Sequence, residues 1–370
     1  MYSLSWLVVL LFPMLAAVQT IAATIGAACK TSVQGAIRAR FGLAPALLAL
    51  VMVVAVNIFT LTADMEAAGV SLTLLTGVPY QWFVLPFAAL VAWLLVAHRY
   101  SRIERALSFL PFIFLAYGGS AILAHADWGR VLHAIVVPEF HLNPAFVGGA
   151  LALLGTTLTS YVYIWESIEI AERAPRPSRL GIVRLDAVLG MLLATITFAF
   201  ILVATGATLG THHIAVETAA DAALALKPLA GPWASALFAI GLLGSALVAV
   251  PVIAATTGYV VAQTFGWKGT LDADFPHARR FYVVIFASLA VAALLSLVGA
   301  SPISLLYWAS LGGGVATPVT LFFAVRIARD KTMMGEHRIG PWLGAAGWLV
   351  TALITASAIL FFATVAWPAR

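Results

Sequence analysis

Residues 155–173 read GTTLTSYVYIWESIEIAER. Five of the first seven residues carry hydroxyls: Thr156, Thr157, Thr159, Ser160 and Tyr161. Trp165 and Glu166 follow, then Glu169 and Glu172 at three-residue spacing. On its amino-terminal side the stretch extends an apolar run from about residue 146. Hydroxyls and a carboxylate at membrane depth need a reason, because polar groups there are costly unless they meet partners or water. In one reading each Thr or Ser bonds its own i−4 carbonyl while Gly155 permits close helix packing. In the other the polar run lines a central cavity.

Working outward, hydropathy places this segment fifth among ten apolar spans, near residues 3–28, 44–63, 80–97, 107–124, 146–165, 187–209, 232–262, 281–299, 303–325 and 341–367. A mean hydropathy of +1.02 with only 9% charged residues excludes a soluble globular domain. The Lys and Arg residues fall into alternate loops, all but Arg130, Lys227 and Arg370 lying on one side. Basic loops stay cytoplasmic, so the pattern puts Met1 and Arg370 outside. The net charge of +5 therefore reports topology, and the chain has no basic stripe suited to nucleic acid. Cys29 stands alone, which excludes an intramolecular disulfide. The first span starts at once without a basic leader region, so no cleavable signal peptide is expected.

One polytopic membrane domain, residues 1–370, accounts for the chain. The segment Ala174-Pro175-Arg176-Pro177-Ser178 reads as an extended hinge between residues 1–173 and 174–370, five spans on either side. Two halves of equal span number invite an inverted-repeat reading, although no internal sequence match supports it. In the second span Asn57, Thr60 and Asp64 share one helix face. Asn57 there either bonds a neighbouring helix or joins a polar path, and Asp64 marks the outer interface or belongs to that path. Glu166 is the sharpest residue of the fifth span, whereas Glu169 and Glu172 read as a solvated cytoplasmic face. Pro251 suits a tilt or kink in the seventh span, and Gly312–Gly314 with Pro318 leaves the ninth either broken or closely packed. His125, His133, His141, His212 and His213 read as interfacial, and no soluble-enzyme motif occurs.

Together these residues suggest a family. The segment Asn57-Ile-Phe-Thr-Leu-Thr-Ala63-Asp64 resembles the third transmembrane helix of the Nramp divalent-metal transporters. Pro13 to Gly26 is similar to the second helix of a bacterial branch of that family, and Leu115-Ala-Tyr117 through His125-Ala-Asp127-Trp128 to the end of the fifth. Gly155 to Tyr161 with Trp165 and Glu169 resembles the sixth, and the likeness continues through Ala249-Val-Pro251-Val-Ile-Ala254, Phe281-Tyr282, Met334-Gly335-Glu336 and Gly347-Trp348. The resemblance implies an all-α, LeuT-like inverted-repeat bundle, here with ten transmembrane helices. It implies a secondary transporter of divalent cations (Mn, Mg or Fe-like), coupled to protons, in a bacterial inner membrane. No cofactor is implied, since the cation is substrate, and the chain is not an enzyme.

The same resemblance places metal ligands at Thr156, Thr159, Ser160 and Tyr161, and a proton pathway at Asn57, Asp64 and Glu166. Thr159 stands where typical members carry a methionine, Ser160 where they carry a helix-breaking proline, Tyr161 and Glu166 where many carry histidines. A site without the thioether favours hard cations. Thr20 and Thr24 replace an acid and an arginine of the branch, which together leave no unpaired charge. Because the match begins at the family's second helix, the first helix, which supplies acidic and amide ligands, is expected to be missing. Two alternatives stay open: a transport-inactive remnant, and a LeuT-like carrier of an organic solute.

Overall fold

The computed structural model describes residues 3–97, 116–173, 179–211, 216–298 and 302–366. Among these residues there are helices and no strands. The helices of eight residues or more are α1 (Trp6–Cys29), α2 (Val33–Phe41), α3 (Leu43–Thr76), α4 (Gln81–Val96), α5 (Ala116–Leu123), α6 (Trp128–Val136), α7 (Pro144–Thr157), α8 (Ser160–Arg173), α9 (Leu180–Thr205), α10 (Ala234–Phe265), α11 (Arg279–Ser296), α12 (Pro302–Ala328) and α13 (Pro341–Ala366). Among the described residues eight stretches are long and apolar enough to cross a bilayer, and α4 is a shorter apolar helix. Half of the expected span at 107–124, residues 107–115, lies outside the described residues, with α5 at its described end. The hinge at 174–178 and the His212–His213 pair lie outside them as well.

Local sequence sets the breaks between helices. Ser32 caps α2 by accepting from the Gln34 and Gly35 amides at 3.1 and 3.3 Å. Gly42, at φ +87°, turns the chain from α2 into α3 through a conformation that only glycine adopts freely. Asn143 caps α7 at 2.8 Å through the Phe146 amide, with Pro144 at the first helical position.

At the centre α3 lies along α10 and α12, α1 along α8 and α9, and α12 along α7 and α13. This core is built from Ile, Leu, Val and Ala with Tyr163, Phe281 and Tyr282. A second, smaller apolar cluster joins α5, α6, the end of α9 and the turns at 219–230. Large apolar side chains such as Trp82, Trp233 and Trp342 remain exposed around the outside, as a hydrocarbon environment permits.

Two expectations about single spans resolve here. Helix α3 does not end near residue 63 but runs to Thr76, so Asp64 lies about three turns inside the helix and not at its end. Helix α12 is continuous through its glycines, and close packing is what they provide. A Cβ at Gly155 would run into the Ser310 carbonyl and the Gly314 amide of α12, and one at Gly314 would lie 2.9 Å from Leu151 Cγ. Backbones that approach so closely tolerate no side chain between them. Gly155→Val is therefore expected to cost about 3 kcal/mol of stability by overpacking. A thermal melt in detergent that matches the parent would contradict this packing.

Candidate cation site

The span that opened the sequence reading is one helix in two pieces. Helix α7 ends at Thr157, α8 begins at Ser160, and Leu158 and Thr159 form the break. No proline or glycine occupies it. The Leu158 amide still reaches the Leu154 carbonyl at 2.9 Å, and Val162 closes onto Thr159 O at 3.2 Å. The released Leu158 carbonyl accepts from Thr317 Oγ1 of α12 at 3.0 Å. Ser160 lies 3.0 Å from Thr320 Oγ1, 3.4 Å from Thr317 Oγ1 and 3.3 Å from the Tyr163 hydroxyl, which itself bonds Thr320. The Thr317 hydroxyl of α12 thus satisfies a carbonyl that the break leaves without its helical partner. The two half-helix ends present partial charges of opposite sign, carbonyl at α7 and amide at α8.

Beside the break lies a cavity of about 150 Å³. Its polar lining is Thr60 and Asp64 from α3, Thr156 from α7, Thr159 at the break, Tyr161 from α8, Ser245 from α10 and Ser310 from α12. Asp64 is half-buried and acts electrostatically on Tyr161. Thr159 is buried, and its hydroxyl has no hydrogen-bond partner among the described residues. A buried hydroxyl left unpaired beside a polar cavity implies a water or a ligand there. By contrast Thr60, Thr157 and Ser310 return their protons to i−4 carbonyls at 2.9, 2.8 and 2.6 Å, leaving lone pairs to offer.

The sequence-derived residues divide in space. Thr156, Thr159, Tyr161 and Asp64 meet in the cavity. Ser160 belongs instead to the hydroxyl cluster against α12. Asn57 is fully buried below the cavity and donates to Thr257 Oγ1 of α10 at 2.9 Å, the helix-to-helix bond weighed above. Glu166 lies further along α8, where the charges acting on it are Glu169, Asp186 and Arg173. Thr24 does not stand without a cationic neighbour, because Arg184 Nε of α9 donates to its hydroxyl at 3.1 Å.

Sequence reading missed three residues. Ser245 and Ser310 reach the cavity from spans in which a single serine gives no signal. Glu66 is wholly buried beside Tyr80, and among the described residues no hydrogen bond of normal geometry reaches its carboxylate. Its signal was present, a second acid within α3, but was lost when the span was ended at 63.

Every donor in the cavity is oxygen, and its described lining includes no Cys, His or Met. No group of three or more His, Cys, Asp or Glu that could hold a metal occurs among the described residues. One carboxylate with several hydroxyls, in room for about five waters, suits a hard divalent cation that keeps part of its hydration shell.

With this geometry the chain finds relatives along nearly its full length. A family model described as natural resistance-associated macrophage protein-like, Nramp, matches residues 1–364. The divalent metal cation transporter MntH of Bradyrhizobium diazoefficiens is 28% identical over 351 residues, 91% of this chain and 76% of the relative. A crystal structure of a variant manganese transporter from Eremococcus coleocola superposes with a TM-score of 0.73 at 18% identity, covering 100% of this chain and 82% of that one. MhsT in complex with L-phenylalanine superposes with a TM-score of 0.67 at 15% identity, covering 96% and 91%. The architecture is the LeuT-like bundle.

Asp64→Asn is expected to weaken Mn²⁺ binding by about a hundredfold, since losing even an outer partner of a metal ligand approaches that cost. Ser160→Ala should leave binding close to the parent. Calorimetric titration of both variants checks the contrast, and equal affinities would contradict the placement of Asp64.

Proposed function

This chain belongs to the Nramp family, and we propose that it carries hard divalent cations, Mn²⁺ or Mg²⁺, across a bacterial plasma membrane as a multi-pass protein. The observation that carries this reading is the convergence of Asp64, Thr156, Thr159 and Tyr161, from three helices and a helix break, on one oxygen-lined cavity. Asp64 supplies the charge. Thr156 and Thr159 supply neutral oxygens, Tyr161 closes the lower wall, and Ser245 and Ser310 complete the shell. The cation is the substrate, and no resident cofactor is needed.

Proton coupling is part of the proposal. Asn57 and Asp64 lie on one face of α3, and Glu166 lies on the cytoplasmic half of the broken helix. A carboxylate within a membrane-spanning helix that has other charges acting on it can exchange a proton as the ion moves. An organic solute fits less well. The cavity is below the usual range of small-molecule pockets, and its described lining carries no cationic side chain for an amino-acid carboxylate.

Transport assays in proteoliposomes test both parts. Thr159→Met should move the preference toward softer ions, raising Cd²⁺ relative to Mg²⁺ by about tenfold. Glu166→Gln should flatten the pH dependence of uptake while retaining metal binding, because the amide keeps the shape and removes the titrating proton. An unchanged metal profile would remove Thr159 from the site, and an unchanged pH profile would make Glu166 an interfacial acid.

A further inference from the structure

The end of α8 is exposed, as its acidic spacing suggests, yet its last carboxylate is engaged by α10 and the loop that follows it. Glu172 Oε1 accepts a hydrogen bond from the Tyr259 hydroxyl of α10 and another, at 2.7 Å, from Thr270 Oγ1 in the loop after α10. The loop closes the arrangement from the other side. The Leu271 amide donates to the Tyr259 oxygen at 2.9 Å, and the Asp272 amide donates to Thr270 Oγ1 at 3.2 Å. The Tyr259 ring is fixed edge-on between Trp165 of α8 and Phe281 of α11, at centroid distances of 6.3 and 4.9 Å.

Geometry gives this contact its meaning. Helix α8 is joined to α7 through two non-helical residues, so it can pivot at Leu158–Thr159 with little loss of backbone hydrogen bonding. Its first turn carries Tyr161 into the cavity wall, and its last turn carries Glu172 to α10. The cytoplasmic end of α10 is held separately. Gln34 Nε2 reaches Thr264 Oγ1 at 2.7 Å, Arg38 Nε reaches the Thr264 carbonyl at 3.1 Å, and Ser32 bonds Gln263. Helix α10 is therefore tied to α2, and α8, which meets α2 where Ser167 accepts from the Val33 amide at 3.0 Å, is tied at its lower end to α10 through an exposed carboxylate. Exposed charge-assisted contacts are weak, which suits one that must break.

We infer that Glu172, Tyr259 and Thr270 form the latch of a cytoplasmic gate, holding the lower half of the broken helix against α10 until the ion is released. This rests on the transport reading above and on its placement of the 266–278 loop inside. Glu172 is a positioning residue, since it touches neither the cavity nor the ion.

Access to the cavity can be read without any transport. In Cys29→Ser protein a single reporter, Ala249→Cys, lines the cavity, and inside-out vesicles expose the cytoplasmic face to a membrane-impermeant thiol reagent. Glu172→Ala, which removes both hydrogen bonds, should raise the labelling rate by about tenfold, a factor that exposed hydrogen bonds of modest net strength support. Tyr259→Phe, which deletes only the hydroxyl, should raise it in the same direction. Glu172→Gln, whose amide oxygen still accepts both bonds, should return it to the parent rate. A merely structural contact would lower the melting temperature without changing labelling from one side. Parent-like labelling in folded Glu172→Ala overturns the latch, and if that variant does not fold, parent-like labelling in Tyr259→Phe does so. Because no metal is present, the latch can fail while Mn²⁺ binding stands, and the reverse also holds.

Discussion

The structure depends on one constraint: a backbone interrupted at membrane depth must find every hydrogen bond inside the protein. At the break between helices α7 and α8, α12 meets part of that constraint. Thr317 takes the loose Leu158 carbonyl, Thr320 holds Ser160 and Tyr163, and Gly155 against Gly314 brings the two backbones close enough for these bonds to form. The glycine run in α12, the hydroxyls of the fifth span and the cavity beside the break are thus parts of one solution. The cavity beside the break is lined instead by side-chain oxygens, those of Asp64, Thr156, Thr159 and Tyr161 among them.

That origin sets the chemistry of the site. Its donors are hydroxyls and a single carboxylate, because the chain places threonine and serine where a soft-metal site would need sulfur. A cation held this way keeps water and binds without the tight cage of a structural site. Weak binding is an asset in a carrier that must also release its ion. The half of the broken helix below the break is joined to α7 through two non-helical residues and packs along α1, with Ser167 accepting from the Val33 amide at 3.0 Å.

Much of the fold was legible from hydropathy. Apolar runs located the long helices, and the hydroxyl cluster at 156–161 marked the interrupted one. Helix ends were less legible, because polar residues such as Asp64 and Glu66 look like boundaries when a one-dimensional window cannot see the helices that shelter them. The engagement of the exposed Glu172 was illegible because its partners Tyr259 and Thr270 are remote in sequence. Ser160 and Thr159 are neighbours with opposite fates, one sealed against α12 and the other open to the cavity. Only packing distinguishes them.

The central claim is that a divalent ion sits between Asp64 and the break at Leu158–Thr159. A crystal or cryo-EM structure of the protein with Mn²⁺, using anomalous scattering to locate the metal, tests it most directly. The account predicts one peak within coordination distance of an Asp64 carboxylate oxygen and Thr159 Oγ1, about 2.0–2.6 Å for oxygen ligands. A peak elsewhere in the bundle, or an empty cavity at saturating Mn²⁺, would contradict it.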